Sequence, residues 1–282
     1  MIISTQSYGW FQIATAAGRA WPEAADWAMA EAVAAGLTGW EPILGSVADA
    51  RLHAGLARQH GLAMPSFYMG GALHEPEAAK ATIAGMREIA AAAADAGVRL
   101  AVVNPNPIAW GEARDKTDEQ LRFQAGCLTE LATALAGLGV MLCYHTHDAE
   151  MRAAAREFHH MLLATDPALV RLCLDPHWIW RGAGDSAVAL ADIIQLYGAR
   201  TEVVHIRQSQ GGVWAQAFGA GDLDYGAIVV ALAACGAHPQ LVIENAIEAG
   251  TPDVLTPREA HRASLDHVLR VFAPLLSPND HA

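Results

Sequence analysis

Lysine is the scarcest charged residue in this sequence. Only Lys80 and Lys116 occur among 282 residues, and 18 basic against 30 acidic side chains give a formal net charge of -12. Because nucleic-acid binding depends on lysine and arginine side chains that neutralise phosphates, we expect no nucleic-acid partner. The lack of lysine after Lys116 also excludes Schiff-base chemistry from any site in the second half of the chain.

The sequence also lacks paired cysteine motifs and long apolar runs. Its four cysteines, Cys127, Cys143, Cys173 and Cys235, form no CxxC pair, which favours reduced thiols in apolar surroundings and a cytoplasmic location. No run approaches the roughly 18 uninterrupted apolar residues of a membrane span, and the first residues lack the basic and apolar blocks of a leader. We therefore expect a protein that is neither exported nor associated with a membrane.

Short apolar runs alternate with longer stretches of helical period along the whole chain. The predicted strands are Ile2–Ser7, Gly39–Leu44, Met64–Met69, Leu100–Asn104, Val140–His145, Arg171–Asp175, Glu202–Ile206 and Gln240–Glu244. The predicted helices are Pro22–Ala35, Val47–His60, Glu75–Ala96, Asp118–Leu138, Glu150–Thr165, Ser186–Tyr197, Tyr225–Cys235 and Thr256–Phe272. This alternation predicts an α/β fold, a (β/α)8 TIM barrel, with an open doubly wound sheet as the alternative. No linker divides the chain, so we expect residues 1–282 to form a single domain.

Polar side chains concentrate where the predicted strands end, which in a TIM barrel is where the chemistry lies. The last four strands offer His145, Asp175, His205 and Glu244 in successive positions around the rim. Divalent cations prefer such nitrogen and oxygen donors, and two carboxylates buried beside two imidazoles without a cation would be costly. We expect at least three of the four side chains to bind one metal ion.

Four segments resemble the xylose isomerase-like TIM-barrel superfamily of sugar (phosphate) isomerases and epimerases. They are CYHTHDAE at 143–150, LDPHW at 174–178, VHIR at 204–207 and VIEN at 242–245, and GAGDLDY at 219–225 resembles the glycine-rich turn before the family's seventh helix. The resemblance runs in order along the whole chain. It implies a divalent metal, with Mn²⁺ favoured over Mg²⁺, Co²⁺ and Zn²⁺, on the ends of strands five to eight, where members commonly place Glu, Asp, His and Glu. By this resemblance, Asp175, His205 and Glu244 take the last three places.

The chain departs from the family pattern after two strands. At strand five, His145 stands where glutamate is commoner, in a run that resembles a subgroup with inosose dehydratase-like and keto-sugar-acting members. Either His145 is the fourth metal ligand, which we favour, or Glu150 reaches the metal and leaves His145 or His147 as an acid/base group. After strand six, members often have a histidine three residues beyond the aspartate, whereas this chain has Trp178 there and His177 one residue earlier.

The substrate is expected to contact side chains at the same rim. The predicted substrate-binding residues are Glu41, Tyr68, Asn104, His177, Trp178, Arg207 and Trp10. Trp110, Trp180 and Trp214 also follow strand ends, where an indole ring suits the C–H face of a sugar. Because Arg181 and Arg207 are the only basic residues close after strands six and seven, we expect an unphosphorylated or singly anionic carbohydrate.

These residues predict enediolate chemistry on a hydroxy-carbonyl sugar, with the metal as Lewis acid and Glu244, before His145 and His147, as the base. The expected enzyme is a metal-dependent sugar isomerase or epimerase, and the nearest alternative is a dehydratase or lyase on a keto-sugar, keto-glycoside or keto-inositol. The acidic charge disfavours an abasic-site endonuclease, and the intact Asp175, His205 and Glu244 set disfavours a non-catalytic sugar binder. Alanine-rich helices and the family's habit of pairing barrels predict a homo-oligomer, a dimer or a tetramer.

Overall fold

Eight strands form one parallel sheet in the computed structural model, which describes residues 2–276. They are β1 (Ile3–Gln6), β2 (Gly39–Glu41), β3 (Ser66–Gly71), β4 (Leu100–Pro105), β5 (Met141–Tyr144), β6 (Val170–Leu174), β7 (Thr201–Ile206) and β10 (Gln240–Ile243), while β8 (Ser209–Gln210) and β9 (Val213–Trp214) form a separate hairpin. The order is β2-β1-β10-β7-β6-β5-β4-β3. The first and last strands of this order meet through isolated bridges at Gly39–Ala63 and Ile43–Tyr68. The sheet is therefore a nearly closed TIM barrel, as predicted.

Helices follow the strands and cover the outside of the barrel. They are α1 (Ser7–Ala16), α2 (Ala25–Ala34), α3 (Val47–His60), α4 (Pro76–Asp95), α5 (Asp118–Ala136), α6 (Asp148–Ala164), α7 (Pro176–Gly182), α8 (Ala187–Tyr197), α9 (Tyr225–Ala234), α10 (Pro257–Val271) and α11 (Ala273–Leu276). The sequence predicted neither α1 nor α7, because each starts directly after a strand and is short. Among the described residues, no helix is long and apolar enough to cross a membrane.

Short polar caps start the two helices that the sequence did not predict. The side chain of Gln6 accepts a hydrogen bond from the backbone N–H of Tyr8 and caps α1. Asp175 caps α7 in the same way through the N–H of Trp178, and Pro176 occupies the first turn, where its missing N–H costs nothing. Helix α6 is interrupted at 152–155, where the backbone of Ala153–Ala155 has positive φ.

Two groups of apolar side chains stabilise the barrel. The larger group packs the helices against the outside of the sheet. A smaller group fills the barrel interior and consists of Val102, Cys143, Cys173, Val203 and Val242, one from each of five strands. Since side chains along a strand alternate between the two faces, the residue two positions after each of these faces the same interior, at the C-terminal end of the barrel.

Candidate active site

The strand register brings the four predicted metal ligands to the end of the barrel interior. Cys143 precedes His145 by two residues, as Cys173 precedes Asp175, Val203 precedes His205 and Val242 precedes Glu244. The two-residue period of a strand thus places one donor side chain above each interior residue. All four donors are buried, with at most 6% of the residue exposed.

Asp175 has one oxygen in use and one available. Its Oδ1 accepts the hydrogen bond from the N–H of Trp178 at 3.0 Å, which fixes the carboxylate at the start of α7. Its Oδ2 is buried and has no hydrogen-bond partner among the described residues. Burial alone would raise the pKa of Asp175, but Arg207 and His145 outweigh it and hold the pKa well below its usual value. The carboxylate is therefore ionised.

His205 is oriented by a carboxylate on the opposite side of the ring. Its Nε2 lies 2.7 Å from Oε1 of Glu41, and Oε2 of Glu41 accepts a hydrogen bond from Ser66 at 2.5 Å. Its Nδ1 lies 3.3 Å from Oε2 of Glu244. Burial would lower the pKa of His205, but Cys173, Glu41 and Glu244 raise it well above its usual value, so both ring nitrogens carry protons here, and a metal ion bound at Nδ1 would displace the proton there. A carboxylate behind a histidine is common at metal sites, because it fixes the tautomer and the ring orientation.

His145 presents two ring nitrogens that lack hydrogen-bond partners within residues 2–276. Its Nε2 lies 3.8 Å from Oδ2 of Asp175, and its ring centre lies 4.8 Å from that of His205. Burial lowers the pKa of His145, so the imidazole is neutral and has a lone pair to offer. The thiol of Cys173 lies beneath these rings and forms a group of potential ligands with them.

Glu244 shares its carboxylate with a buried arginine. The guanidinium of Arg207 contacts Oε2 of Glu244 through Nη2, which also lies 3.3 Å from Oδ2 of Asp175. The same guanidinium lies over the rings of Trp178 and Trp214, at 5.1 and 4.7 Å from their centres. Burial would raise the pKa of Glu244, but Arg207 and His205 lower it to about 2, so the group is a carboxylate at neutral pH.

These donors fit a divalent cation. Asp175, His205 and Glu244 each place one ligand atom within 4.8 Å of the others, as do His145, Cys173 and His205. Buried polar atoms normally have partners, so the two ring nitrogens of His145, which have no hydrogen-bond partner among the described residues, point to a missing ligand. Two carboxylates and two imidazoles form a donor set suited to Mn²⁺, Co²⁺ or Zn²⁺.

Glu150, the alternative ligand after β5, faces a different neighbourhood. Its Oε2 accepts a hydrogen bond from the backbone N–H of His147 at 2.7 Å, which forms a capping box at the start of α6. Burial and the nearby Glu157 raise the pKa of Glu150 to about 7. Glu150 belongs to neither of the two ligand groups found among the described residues. This geometry supports His145, and not Glu150, as the donor from β5.

A cavity of about 470 Å³ opens above the ligand groups. Its inner end is lined by Tyr68, His145, His205, Arg207 and Glu244, and its walls by His147, Trp178 and Trp214. The Nδ1 of His147 has no partner among the described residues, and burial together with His145 holds the pKa of His147 well below its usual value. His147 is therefore a neutral imidazole beside the cavity.

Four of the predicted substrate-binding residues do not line this cavity. Glu41 lies behind His205, and Asn104 donates a hydrogen bond to the carbonyl oxygen of His145 at 3.0 Å. Both hold other site residues in place. Trp10 lies on α1, is fully buried and stacks on His261, with the ring centres 4.1 Å apart. His177 is also buried, next to Trp180 and Trp214.

The prediction for Trp10 was wrong for a local reason. The sequence predicts no helix between Ser7 and Pro22, but a helix starts at Ser7 and turns Trp10 away from the cavity. Trp180, one of the rim tryptophans, lies outside the cavity lining for the same reason, because α7 carries Trp178 towards the cavity and Trp180 away from it. A short helix directly after a strand thus selects which aromatic residue meets the substrate.

Several lining residues were not among the predicted site residues. Gln6, Tyr8, Ile43, Gly111 and Asp148 line the cavity together with Trp110. Trp214 reaches it on the β8–β9 hairpin, which crosses beside β7 and packs Trp214 against Trp178 with ring centres 5.4 Å apart. The pair Gly211–Gly212, with positive φ at both residues, is the sequence signal for this hairpin turn.

Comparisons with known proteins place these observations in a family. The model of the xylose isomerase-like TIM barrel matches residues 29–270. A comparison with curated proteins finds no match. The solved structure of L-ribulose 3-epimerase is similar over 100% of both chains, with a TM-score of 0.75 and 18% identity. That of D-psicose 3-epimerase with D-tagatose, from Clostridium cellulolyticum, covers 96% of this chain and 99% of its own, with a TM-score of 0.73 and 16% identity. That of 3-keto-D-glucoside 4-epimerase from E. coli covers 94% and 98%, with a TM-score of 0.68 and 19% identity.

Proposed function

The chain belongs to the xylose isomerase-like TIM barrel family, and from this premise we propose that it is a divalent-metal-dependent isomerase or epimerase of an unphosphorylated carbohydrate. The observation that carries the proposal is the group formed by Asp175, His205 and Glu244, which opens into a cavity lined by aromatic rings. The similar structures are named as epimerases of L-ribulose, D-psicose and a 3-keto-D-glucoside, which supports a carbohydrate substrate.

Asp175, His205, Glu244 and His145 would hold the metal, with Glu41 fixing the tautomer of His205. When bound, a divalent cation polarises the carbonyl of a hydroxy-carbonyl substrate and lowers the cost of removing the neighbouring proton. Mn²⁺ is the ion we propose first.

Glu244 and the histidines after β5 would handle the proton. Strands β5 and β10 are separated by β6 and β7 in the sheet, so their ends face one another across the barrel. A carboxylate oxygen of Glu244 would take the proton from one side of the substrate. His147, a neutral imidazole at the cavity wall, would exchange a proton on the other side.

The cavity offers little for a phosphate group. Among the described lining residues, Arg207 is the only lysine or arginine, and its guanidinium already contacts Asp175 and Glu244. Arg181 forms an ion pair with Glu248 at 2.8 Å. A doubly charged phosphate would need cationic partners that these residues do not leave available.

The test is hydrogen exchange at the substrate carbon next to the carbonyl. Metal-loaded protein is incubated in D₂O with a panel of ketoses, inososes and 3-keto-glycosides, and deuterium uptake is followed by NMR and mass spectrometry. We expect uptake or internal hydrogen transfer on at least one sugar with unchanged composition. Glu244→Gln abolishes it, whereas Glu130→Gln, on the exposed face of α5, leaves it unchanged. A panel without exchange by protein that carries one metal equivalent would refute the proposal.

Two imidazoles after β5 favour a second candidate, a dehydratase or lyase. His145 and His147 lie with their ring centres 4.9 Å apart, and a second imidazole near the substrate could protonate a departing oxygen. The same experiment separates the two reactions, because elimination produces a lighter product that has lost water or an aglycone.

Two further proposals concern the state of the protein in the cell. Val188, Leu196 and Val230 are exposed by 64 to 71% on the adjacent helices α8 and α9, and we propose that they contribute to a homo-oligomer. Light scattering reads the oligomeric state directly. All four cysteines are unpaired thiols, which supports the proposed cytoplasmic location.

A further inference from the structure

The outer half of the cavity faces solvent and is largely apolar, with the carboxylate of Asp148 as the exposed charged group of the lining. Tyr8, Ile43 and Trp110, which we call the apolar rim, come from the segments after β1, β2 and β4 and line the same cavity as Glu244 and His205. They are exposed by 37%, 37% and 57% respectively. An apolar rim at the mouth of a polar site is a feature that marks binding surfaces.

The rim continues beyond the cavity mouth as an aromatic surface. The ring of Tyr8 stacks on that of Phe11, with centres 6.3 Å apart, and Phe11 is exposed by 40%. On the other side, Trp110 meets the ring of His147 edge to face at 5.0 Å. Trp110 therefore connects the proposed acid/base residue to the solvent-exposed part of the cavity.

The inner and outer halves of the cavity differ in what they can recognise. At the inner end, the lining includes the polar and ionisable side chains of His145, His205, Arg207 and Glu244. Such side chains suit the hydroxyl groups of a sugar. The apolar rim offers the ring faces of Tyr8 and Trp110 and the aliphatic side chain of Ile43, with one hydroxyl and one indole N–H at its edges, so an apolar ring suits it better than a second sugar ring with its many hydroxyl groups.

We propose that the substrate is a keto-glycoside, a sugar that carries a carbonyl on its ring and is joined through its anomeric carbon to an apolar group that is aromatic by preference. The sugar lies at the inner end among Glu244, His205 and Arg207, and the apolar group packs against Tyr8, Ile43 and Trp110. A volume of about 470 Å³ falls in the range that encloses drug-sized ligands, which leaves room for a ring beyond the sugar. This inference rests on the proposed function only in taking the inner end as a sugar site.

A second copy of the chain is the other possible occupant of the rim. The continuity of the cavity favours the ligand, because Tyr8, Ile43 and Trp110 line the same space as the proposed catalytic groups. A partner subunit seated on these three side chains would cover the entrance to that space. The glycoside fills the cavity along its length and leaves the barrel free to pair elsewhere.

Binding of two non-reacting probes tests the proposal. The affinities of metal-loaded protein for phenyl β-D-glucopyranoside and methyl β-D-glucopyranoside are measured by titration calorimetry. Because stacking and burial of the phenyl ring add to the sugar contacts, we expect the phenyl glycoside to bind about tenfold more tightly. In Trp110→Ala and Tyr8→Ala the preference falls towards one, while the affinity for the methyl glycoside stays the same.

The matched control is Phe123→Ala, which removes an aromatic ring that is 36% exposed on α5, away from the cavity. We expect Phe123→Ala to keep the full preference for the phenyl glycoside. Equal affinity for the two glycosides in the unaltered protein overturns the proposal, as does the absence of binding by either probe. A dimer that becomes monomeric in Trp110→Ala also overturns it, because the rim is then an interface between subunits.

The two proposals fail separately. A clear preference for the phenyl glycoside without hydrogen exchange on any carbohydrate supports the glycoside site and refutes the proposed reaction. Hydrogen exchange on free ketoses without any phenyl preference supports the reaction and refutes the glycoside site.

Discussion

Glu41 shows how much of this site depends on a residue that does not touch the cavity. It lies on β2, accepts hydrogen bonds from Ser66 on β3, and lies against His205 on β7. From the sequence, Glu41 is predicted to bind the substrate, because a polar residue at a strand end suggests a lining position. Its partner across the barrel is His205, and no sequence pattern at β2 predicts that these two side chains meet.

Removing the charge of Glu41 should weaken metal binding. In Glu41→Gln the side chain keeps its shape and still accepts the proton of Nε2, but the imidazole of His205 becomes a poorer donor. Changes of this kind typically cost about 10- to 100-fold in metal affinity. Chelator competition measures the dissociation constant, with Ser66→Ala as the control that removes only the second hydrogen bond of Glu41. An unchanged dissociation constant in Glu41→Gln would show that the pair has no part in metal binding.

Arg207 should weaken metal binding and stabilise the metal-free protein. Its charge lies between two proposed metal ligands, Asp175 and Glu244, and therefore opposes a divalent cation there. In Arg207→Gln we expect tighter metal binding, because that repulsion is gone. We also expect the metal-free protein to lose about 3 kcal/mol of stability, since two buried carboxylates are left unpaired.

Calorimetry and thermal unfolding with and without Mn²⁺ measure the two effects of Arg207→Gln. Arg181→Gln is the control, because it breaks the partly exposed pair with Glu248 and should change neither quantity as much. Weaker metal binding in Arg207→Gln would mean that the arginine helps to build the metal site.

At the scale of elements, the β8–β9 hairpin is held in place from two sides. Asp222 accepts hydrogen bonds from the N–H groups of Gly211 and Gly212, both at 2.9 Å, and from the hydroxyl of Ser209 at 2.8 Å. These bonds lower the pKa of Asp222, with the one from Gly212 as the largest cause. On the other side, Glu248 accepts the N–H of Trp214 at 2.8 Å. The hairpin thus presents Trp214 to the cavity in one position.

Loosening this hairpin should weaken ligand binding and leave the metal in place. Asp222→Ala removes three hydrogen bonds to a charged acceptor, and one such bond is worth about 1.5 kcal/mol. If the ligand must restore the position of Trp214 at about that cost, its affinity falls roughly tenfold. We expect the affinity for the phenyl glycoside to fall by about that factor and the metal content to stay the same. Asp192→Ala, at an exposed position of α8, is the control. Loss of metal together with ligand would show that the hairpin supports the whole site.

The alternation of apolar runs predicted the eight strands and most of the helices that cover them. Apolar residues recur with a period of about two in strands and of about 3.6 in helices, so each type of segment can be recognised. The same pattern did not reveal α1, α7 or the β8–β9 hairpin. Their formation depends on local capping, as by Gln6 and Asp175, and on contacts with distant elements. The proposed metal ligands could be selected from the sequence because strand register places them together at the strand ends. Of the tryptophans expected near the substrate, Trp110, Trp178 and Trp214 line the cavity, but the sequence did not show that short helices turn Trp10 and Trp180 away from it.

At the scale of the whole molecule, two histidines in the core make stability depend on pH. Nδ1 of His53 accepts a hydrogen bond from the indole of Trp40 at 3.3 Å, and Nδ1 of His261 lies 2.8 Å from the carbonyl oxygen of Pro257. Burial lowers the pKa of each to about 4. Both rings are therefore neutral in the folded protein at pH 5, whereas in the unfolded chain they would be mostly protonated, with a pKa near 6.5.

Acid should therefore destabilise the protein in part through these two side chains, together with other buried histidines such as His177, whose pKa burial also lowers to about 4. As the pH falls from about 6.5 towards 4, the unfolded chain binds protons that the folded chain refuses, and each histidine lowers the free energy of unfolding by at most about 1.4 kcal/mol per pH unit. Above pH 6.5 their contribution is constant. Urea unfolding of chelator-treated protein at pH 7, 6 and 5 measures this slope. The double variant His53→Gln/His261→Gln should show a shallower slope, and parallel slopes would contradict the assignment.

Strands β2 and β3, at the two ends of the sheet order, meet through isolated bridges, and we call this contact the seam of the barrel. We expect the barrel to open first at the seam. Four backbone hydrogen bonds join the segments here, two around the bridge to Ala63 and two around the bridge to Tyr68. Between these two pairs Glu41 is linked to Ser66, and it also reaches across the interior to His205. We therefore expect a metal ion bound by His205 to keep β2 and β3 together. Metal binding should then reduce local unfolding of these two strands. Amide hydrogen exchange of Gly39–Glu41 should slow on addition of Mn²⁺ far more than that of β5 and β6, and in Glu41→Gln this selective protection should disappear.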